Sequence, residues 1–583
     1  MRRLRRACTR RARLRRSQRG YVAVFTVLLV FVIIAMAAFT VDAGNWYVTS
    51  QQNQRAADAA ALAGVTFMPG DFGTASTAAL DEANRNGFAP DATVAVTPEK
   101  VPGQSSRLQV TVSRTVKNTF GGLFGVNQTT ISRSAVASFT GPVPMGSPCN
   151  EFGNDPSPGT NQSSNCAGVG QFWANVGSVK AAKQSGDAYQ NGACSTLYDG
   201  CNGTTNTEYD NNGYFFTLTV KADMPSLTVE AFDPAFISVG DTCGDNFASG
   251  ATAALQAKNS LVYHNVTNGY RTGESDTSSG RYAPGSTSAY CTGDKLFGGA
   301  TTAPDTTFTV RKAVATTYPW DPTSYASVGT ADCSTQTFRG YAGDLYSKLN
   351  QWAQTESPVG SGHYVPSNRT TLSTYDPTIA TEFRQWVPIC KLTNVTKGTY
   401  MVQVQTNATG DNTTANGHNR FALRAYGSSA TDNGNISLAG YTKMAMYANL
   451  PGAVTQFYLA QVPPTAAGQL LSIRLFDVGD SANTGTISIL PPTDSNLSAF
   501  TGCVGTGPRA GALTNCSIST NSVDFQGKWE TIAIPLPTNY TCSSSTATGC
   551  WVKLQYNYGS GNQPSDTTSW QASIEGDPIR LVK

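Results

Sequence analysis

The sequence predicts an N-terminal transmembrane helix, a small α/β membrane-proximal region, and then a mainly β body of two jelly-roll-like β-sandwich domains. An uncharged run of 21 residues, Tyr21–Val41, follows an arginine-rich head. Only 14% of the residues are charged, and glycine supplies 56 of 583, as is typical of turn-rich β proteins. Beyond residue 140, short alternations of apolar and polar residues predict many strands and few long helices.

The net charge of +3 is the sum of two unequal parts. Residues 1–19 contain ten arginines and no acid, and removing their charge from +3 leaves −7 for the rest of the chain. A mildly acidic body argues against nucleic-acid binding by the chain as a whole. By the positive-inside rule, we expect the head in the cytoplasm and the body outside the cell.

The apolar run is predicted to be a single-pass anchor, because about 20 apolar residues in a helix span a bilayer core. A cleavable signal peptide is the alternative, since Ala35-Met36-Ala37 would permit cleavage after Ala37. A buried core helix is disfavoured, because ten arginines precede the run and Asp42 follows it.

The helix is expected to continue beyond the membrane, because Asp42–Val65 is rich in alanine and glutamine. Arg19 and Gly20 before the apolar run, followed by Asp42 and the Gln54 segment, resemble TadE/TadG-like proteins of the Flp (Tad) pilus-assembly system. The other matching positions are Gly44, Tyr47, Ala56, Ala57, Asp58, Ala59, Ala60, Ala61, Leu62 and Ala63. The resemblance covers residues 19–140 and implies a bacterial envelope protein of surface-appendage assembly or secretion.

The resemblance also implies a prepilin-peptidase processing site between Gly20 and Tyr21. A boundary glycine without processing is the alternative. Pilin-like subunits usually carry glutamate at the fifth position after that bond, where this chain has Phe25. This difference favours a permanently anchored TadG-like protein over a polymerising pilin.

The chain is expected to divide into five regions. A helix over Ala75–Gly87 and three strands follow the anchor, and a proline- and glycine-rich linker spans 141–148. A weak repeat between Leu227–Pro234 and Leu471–Val478 indicates two related sandwiches. The regions are a cytoplasmic head (1–20), a transmembrane helix (21–41), a TadG-like membrane-proximal region (42–140) and two sandwiches (145–332 and 333–583).

Twelve cysteines lie C-terminal to the apolar run, and none forms a C-x-x-C pair. This argues against structural zinc and indicates up to about six disulfides in an oxidising compartment. Short spacings favour the pairs Cys194–Cys201, Cys503–Cys516 and Cys542–Cys550.

Catalytic signatures are weak. The three histidines, His264, His363 and His418, form no metal-ligand spacing, and Asp276–Gly280 lacks the D-x-S-x-S pattern of a von Willebrand A metal site. Carboxylate pairs for glycoside hydrolysis leave no sequence spacing to detect, so a secreted hydrolase is an open alternative. We predict no enzyme activity, cofactor, metal ligand or catalytic residue.

Two further features of the body allow a binding role and a simpler structural one. The strand-end residues Asp233, Asp477 and Asp480 fit calcium binding less well than turn formation. Among the seven tryptophans of the body, Trp551 is the candidate for stacking on glycans, because its strand phase opposes that of Val552. Core packing is the alternative.

The predicted function is therefore that of an envelope-anchored structural protein of Flp/Tad pilus assembly or a related surface or secretion apparatus. A surface adhesin or glycan-binding protein on a Tad-like anchor is the alternative. The expected partners are the membrane, other pilus-assembly or envelope proteins, and surface glycans in the alternative.

Overall fold

The computed structural model places the described residues in two compact units. The small unit consists of Met1–Phe139 and Pro578–Lys583, and the large unit of Thr140–Asp577. The structure describes residues 17–68, 72–102, 107–139, 143–153, 172–194, 201, 205–233, 295–296, 304–314, 317–318, 321–338, 386–406, 416–449, 454–479, 484–543, 548–559, 565–575 and 579–582.

The small unit packs two helices on a four-stranded antiparallel sheet, sheet A. Its helices are α1 (Ser17–Val65) and α2 (Phe72–Arg85). Its strands are β1 (Val94–Lys100), β2 (Arg107–Lys117), β3 (Gln128–Phe139) and the C-terminal strand Ile579–Val582. The helix and three strands expected after the anchor are all present.

The core of the small unit is built largely from alanine. Small side chains let α1 and α2 approach each other closely, and Gly64 lies at one of these close contacts. A Cβ atom on Gly64 would lie 2.5 Å from both the carbonyl oxygen of Ala75 and Cδ2 of Leu108. The alanines of this core are Ala56, Ala57, Ala60, Ala61, Ala75, Ala79, Ala83, Ala135 and Ala137.

The large unit is inserted between β3 and the last strand of sheet A. Residues Ile579–Val582 pair with Val136–Phe139 of β3, so the end of the chain returns to the small unit. The second sandwich expected from the sequence, 333–583, includes these residues. The sequence of a four-residue strand does not indicate which distant strand it pairs with, so its place in sheet A could not be predicted.

Among its described residues, the large unit contains 23 strands, five short 3-10 helices and one short α-helix, α3 (Ala430–Gly434). The strands are β4 (Pro144–Met145), β5 (Glu151–Phe152), β6 (Trp173–Gly177), β7 (Tyr214–Val220), β8 (Met224–Phe232), β9 (Lys295–Leu296), β10 (Thr306–Lys312), β11 (Ala326–Ser327), β12 (Gln336–Phe338), β13 (Trp386–Val395), β14 (Gly398–Gln405), β15 (Gly417–Gly427), β16 (Ile436–Tyr441), β17 (Lys443–Asn449), β18 (Val454–Gln461), β19 (Leu470–Phe476), β20 (Gly485–Leu490), β21 (Val504–Thr506), β22 (Gly511–Ala512), β23 (Ser517–Thr520), β24 (Trp529–Pro535), β25 (Trp551–Asn557) and β26 (Ser565–Glu575).

These strands form two large antiparallel sheets. Sheet B has the order β11-β10-β14-β7-β16-β4-β18-β25-β20-β23, with β12 beside β10. Sheet C has the order β13-β8-β15-β6-β17-β26-β19-β24-β21-β22, with β5 and β9 beside β15. Side chains of both sheets share one core: the rings of Phe216 in sheet B and Phe421 in sheet C lie 5.7 Å apart.

Each sheet contains the same strand order twice. In sheet C, β6 and β17 are neighbours near the middle of the sheet. Outward from β6 the order is β6-β15-β8-β13, and outward from β17 it is β17-β26-β19-β24. We call these two series, with their partners in sheet B, the two strand sets. In sheet B, β7-β14-β10 corresponds to β18-β25-β20. Strands β8 and β19 hold equivalent places, and they are the two strands in which the sequence shows its weak repeat.

The two strand sets do not divide at residue 333. The first set runs from β6 to β15 and the second from β17 to β26, so the change falls between residues 427 and 443. β13 pairs with β8, and β14 pairs with β10, across the expected boundary. A boundary at residue 333 separates β13, β14 and β15 from the first set, because these strands complete that set late in the sequence.

Three of the four disulfides between described cysteines join residues that are close together in the chain. The three predicted pairs are confirmed: Cys194–Cys201, Cys503–Cys516 and Cys542–Cys550 have Cα–Cα distances of 5.6, 5.3 and 5.2 Å. A fourth pair, Cys333–Cys390, joins the loop before β12 to β13. The sequence alone did not indicate this pair, because 57 residues separate its cysteines.

Candidate functional site

The first half of α1 is apolar and exposed. Its most apolar 18-residue window has a mean hydropathy of 3.0, and 6% of that window is buried. This is the one helix of the described part of the chain with the length and composition of a membrane span. Because a helix rises about 1.5 Å per residue, Tyr21–Val41 covers about 30 Å, the thickness of a bilayer core.

The second half of α1 is held against sheet A. Ala56, Ala57, Ala60 and Ala61 are buried there. On the neighbouring face, the Nδ2 atom of Asn53 donates to the carbonyl oxygen of Ile131 at 2.7 Å, and Arg133 donates to Ser50 at 2.7 Å. This half of α1 therefore combines small packing residues with polar contacts to β3.

Gln54 and Asp58 of this pattern hydrogen-bond each other. The Nε2 atom of Gln54 lies 2.8 Å from Oδ1 of Asp58, one helical turn away. The same amide donates to the carbonyl oxygen of Ser134 at 3.4 Å. These contacts fix the helix to the sheet edge without requiring a ligand.

Asp42 fastens the junction between the two halves of α1. Its carboxylate is 2% exposed and accepts three backbone N–H bonds from the turn after β2: Thr119 at 2.7 Å, Phe120 at 3.0 Å and Gly121 at 2.7 Å. Burial raises the pKa of Asp42, but these hydrogen bonds outweigh it and hold the pKa below its ordinary value. Nearby, the indole of Trp46 donates to Oδ1 of Asn118 at 2.8 Å.

Gly20 and Tyr21, the predicted processing site, lie within the continuous helix α1. Tyr21 is 68% exposed, and its ring packs 5.1 Å from that of Phe25. Phe25 thus stands beside the aromatic residue that would follow the cleaved bond. Processing between Gly20 and Tyr21 stays a prediction.

Trp551 is buried rather than exposed. It is 2% exposed, and the ring of Tyr458 packs against it in an edge-on arrangement at 5.6 Å. It lines a groove of about 300 Å³ on sheet B, where the two strand sets meet around β4. Trp551 faces away from the main core, but Ala439 and Tyr458 of neighbouring strands cover it. This burial leaves almost none of the indole face for stacking on a sugar.

The sequence favours turn formation over calcium binding at Asp477 and gives His418 no metal-ligand role, and both residues take part in local hydrogen bonds. Asp477 has a φ of 55° and accepts a hydrogen bond from the N–H of Gly527. His418 is buried and hydrogen-bonds Asn191 through Nε2. Within the described ranges, no group of three or more His, Cys, Asp or Glu side chains could hold a metal ion. Asp480, His264 and His363 lie outside the described residues.

A charged network on sheet C was not anticipated from the sequence. Glu208 accepts hydrogen bonds from Lys183 at 2.6 Å and from the Trp529 indole at 2.9 Å, and lies 3.4 Å from Arg474. Burial raises the pKa of Glu208, but hydrogen bonds from Lys183 and Trp529 outweigh it and keep the pKa below its ordinary value. The network holds the loop before β7 on the sheet. Its members lie far apart in the chain, so no local motif reveals it.

The geometry defines a class of protein: an apolar helix with the properties of a membrane anchor, clamped to a small α/β unit that carries a large β insertion. Residues 20–68 match the family model described as putative Flp pilus-assembly TadE/G-like. This match spans α1 almost entirely and agrees with the resemblance seen in the sequence. Comparisons of the chain with curated proteins and with solved structures give no match.

Proposed function

We propose that the protein is a membrane-anchored structural component of Flp/Tad pilus assembly or of a related surface or secretion apparatus. The apolar half of α1 holds it in the cytoplasmic membrane with the arginine-rich head inside. The large unit lies outside the cell and supplies contacts to other envelope proteins. In this role the protein catalyses no reaction.

The coincidence of the family match with α1 carries this proposal. The matched residues, 20–68, contain both the exposed apolar segment and the half that packs on sheet A. A soluble helix of this length would bury its apolar face, whereas Tyr21–Val41 is exposed almost throughout. The segment is therefore suited to lie in lipid while the remainder of the helix positions a folded domain.

The large unit supports a binding rather than a catalytic role. We propose that its two strand sets, 173–427 and 443–575, are jelly rolls, because each interleaves strands of two sheets in the same repeated order. Two fused jelly rolls present a wide and rigid surface. Disulfides within this unit fit the oxidising side of the membrane.

The proposal is tested by deleting the gene in its native host and counting surface pili by electron microscopy. We expect deletion to abolish or sharply reduce the pili, and expression of the intact chain to restore them. A matched chain whose residues 1–41 are replaced by a cleavable secretion signal should be secreted but should not restore the pili. Normal pilus numbers in the deletion strain would refute a role in their assembly.

The orientation is tested separately by labelling a single added thiol. Val523→Cys places a thiol at a position that is 78% exposed in the large unit. We expect a membrane-impermeant maleimide to label it in intact cells, whereas Cys8 should react only after the cells are lysed. Labelling of Cys8 alone in intact cells would reverse the proposed topology.

A further inference from the structure

The β2–β3 hairpin runs along α1 towards its apolar half. At the far end of β2, Leu108 packs where a Cβ atom on Gly64 would lie. Ten residues later, Asn118 accepts the hydrogen bond from Trp46, and the following turn reaches Asp42. As β2 proceeds, its partners on α1 thus move steadily towards the N-terminus. The tip of the hairpin, residues 119–126, is therefore its part closest to the membrane-spanning segment.

With Tyr21–Val41 spanning the hydrocarbon core, as proposed above, the bilayer surface falls at the level of Asp42. The 21 residues before it cover the hydrocarbon core as a helix. Phe39 and Val41 are exposed just before Asp42, and Trp46 and Tyr47 follow within about one turn, as in the aromatic belts of membrane proteins. The hydrogen bonds to Asp42 fix the hairpin tip at this same level.

The tip has the chemistry of a lipid contact. Its sequence from Phe120 to Val126, FGGLFGV, contains four large apolar residues and no charge. Val126 is 51% exposed, and Lys117 is exposed at the base of the turn. An apolar tip flanked by lysine suits the boundary between acyl chains and anionic headgroups.

Asp42 gives a second reason for the tip to lie there. It is the one charged residue between Tyr21 and Gln54. A carboxylate at the edge of the hydrocarbon core is costly unless it is hydrogen-bonded. The tip donates three backbone N–H hydrogen bonds to the Asp42 carboxylate. These hydrogen bonds replace those that water would otherwise make to the charge.

We propose that the hairpin tip, residues 119–126, inserts into the lipid interface beside α1 and forms a second membrane contact. This inference rests on the proposed anchoring by residues 21–41. With two points of contact, the small unit is held in a fixed orientation on the membrane surface instead of pivoting on a single helix. Its partner is the lipid surface of the leaflet on the body's side.

The test places a spin label on the full chain in vesicles of phosphatidylethanolamine and phosphatidylglycerol. A genetically encoded keto amino acid carries the label, so the native cysteines stay intact. Three chains are compared, with the label at Val126, at Phe31 in the apolar segment, or at Val523 in the large unit. All three side chains are more than half exposed, so a label is expected to be tolerated. Collision rates with oxygen, which concentrates in lipid, and with a water-soluble nickel chelate report the depth of each label.

We expect the labels at Val126 and Phe31 to collide more often with oxygen, and the label at Val523 more often with nickel. An oxygen-accessible Phe31 together with a nickel-accessible Val126 would overturn the second contact and leave the anchor intact. Nickel access at both positions would overturn the anchor and the inference together.

Photo-crosslinking of the unlabelled chain gives a second measurement that needs no substitution. Vesicles containing a phospholipid with a photoreactive group near the headgroup are irradiated, and cross-linked peptides are identified by mass spectrometry. We expect adducts on the peptide that contains residues 118–127 and none on the peptide around Val523. Adducts on α1 without any on the tip would contradict the proposal.

Discussion

The two units of this protein build their cores from opposite kinds of side chain. The small unit relies on alanine, because its helices approach each other and sheet A closely. The large unit relies on aromatic rings, such as Phe172, Phe457 and Trp570, whose centroids lie between 5.2 and 6.1 Å apart. Two sheets stack about 10 Å apart, and large rings fill that space. The comparison shows that the packing distance between elements selects side-chain size.

The units also treat a buried carboxylate differently. In the small unit, three N–H donors lower the pKa of Asp42. In the large unit, Asp187 accepts bonds from the Tyr214 hydroxyl at 2.6 Å and from three backbone N–H groups. Burial there outweighs these bonds and raises the pKa of Asp187. Because Asp187 is completely enclosed in the sandwich, its pKa shifts upward, whereas hydrogen bonding alone would lower the pKa.

Truncating a central ring should have the largest effect. Trp570→Ala removes a fully buried side chain that packs on Phe172 and Phe457. We expect a loss of about 3–5 kcal/mol, as for other large core truncations. Hydrogen exchange measured peptide by peptide should show faster exchange in β17, β19 and β26, with β2–β3 as the internal reference.

Val523→Ala is the matched control for this change, because Val523 is 78% exposed. It should leave exchange unchanged throughout the large unit. If Trp570→Ala also lowered the free energy of protection from exchange by less than about 1 kcal/mol, the ring would not be important for the stability of the aromatic core. The proposed difference between the two cores would then be wrong.

Enlarging a small residue should have an intermediate effect in the other unit. Gly64→Val places methyl groups against Ala75 and Leu108, where a single Cβ atom is already too close at 2.5 Å. We expect a cost of about 1–3 kcal/mol from overpacking. Faster exchange should appear in α2 and β2, measured with the full chain in detergent micelles.

Gly44→Ala provides the control on the same helix. No atom lies within 4 Å of a Cβ atom built there, and alanine favours the helix by up to about 1 kcal/mol. This variant should be neutral or slightly more protected. Equal effects of the two substitutions would show that helix propensity, and not close packing, governs this part of α1.

The sequence predicted local structure better than long-range structure. Helix α2 begins and ends within three residues of its predicted limits, and three strands follow it as expected. Cysteine pairs separated by 7 to 13 residues were also found. These features depend on periodicity, turn residues and short loops, which a single segment reveals.

The features that sequence reasoning missed depend on distant partners. The return of Ile579–Val582 to β3 and the pairing of β13 with β8 join segments more than 150 residues apart. Trp551 faces away from the main core, as its strand phase indicated, yet Tyr458 of another strand covers it. Alternation reveals which face a residue occupies, but what lies on that face depends on the tertiary fold.

Weakening the Asp42 clamp should have the smallest and most local effect. Asn retains one acceptor oxygen but turns an N–H₂ group towards the backbone donors, so Asp42→Asn should reduce the protection of the amides of Thr119, Phe120 and Gly121. Because the folded-state pKa lies below the ordinary value of 3.8, the carboxylate stabilises the fold fully above that pH. The contribution is lost as the pH falls from about 3.8 through the lowered pKa.

Exchange of the 119–121 amides should therefore differ between Asp42→Asn and the native chain at pH 7, and this difference should shrink as the pH falls below 3.8 through the lowered pKa of Asp42. Asp91→Asn is the matched control, since Asp91 in the same unit also has a lowered pKa and accepts bonds from the N–H groups of Thr93 and Val94. It should affect those two amides and leave 119–121 unchanged. A difference at 119–121 that did not shrink as Asp42 took up its proton would mean that the shape of the Asp42 side chain, and not its charge, holds the hairpin tip against α1.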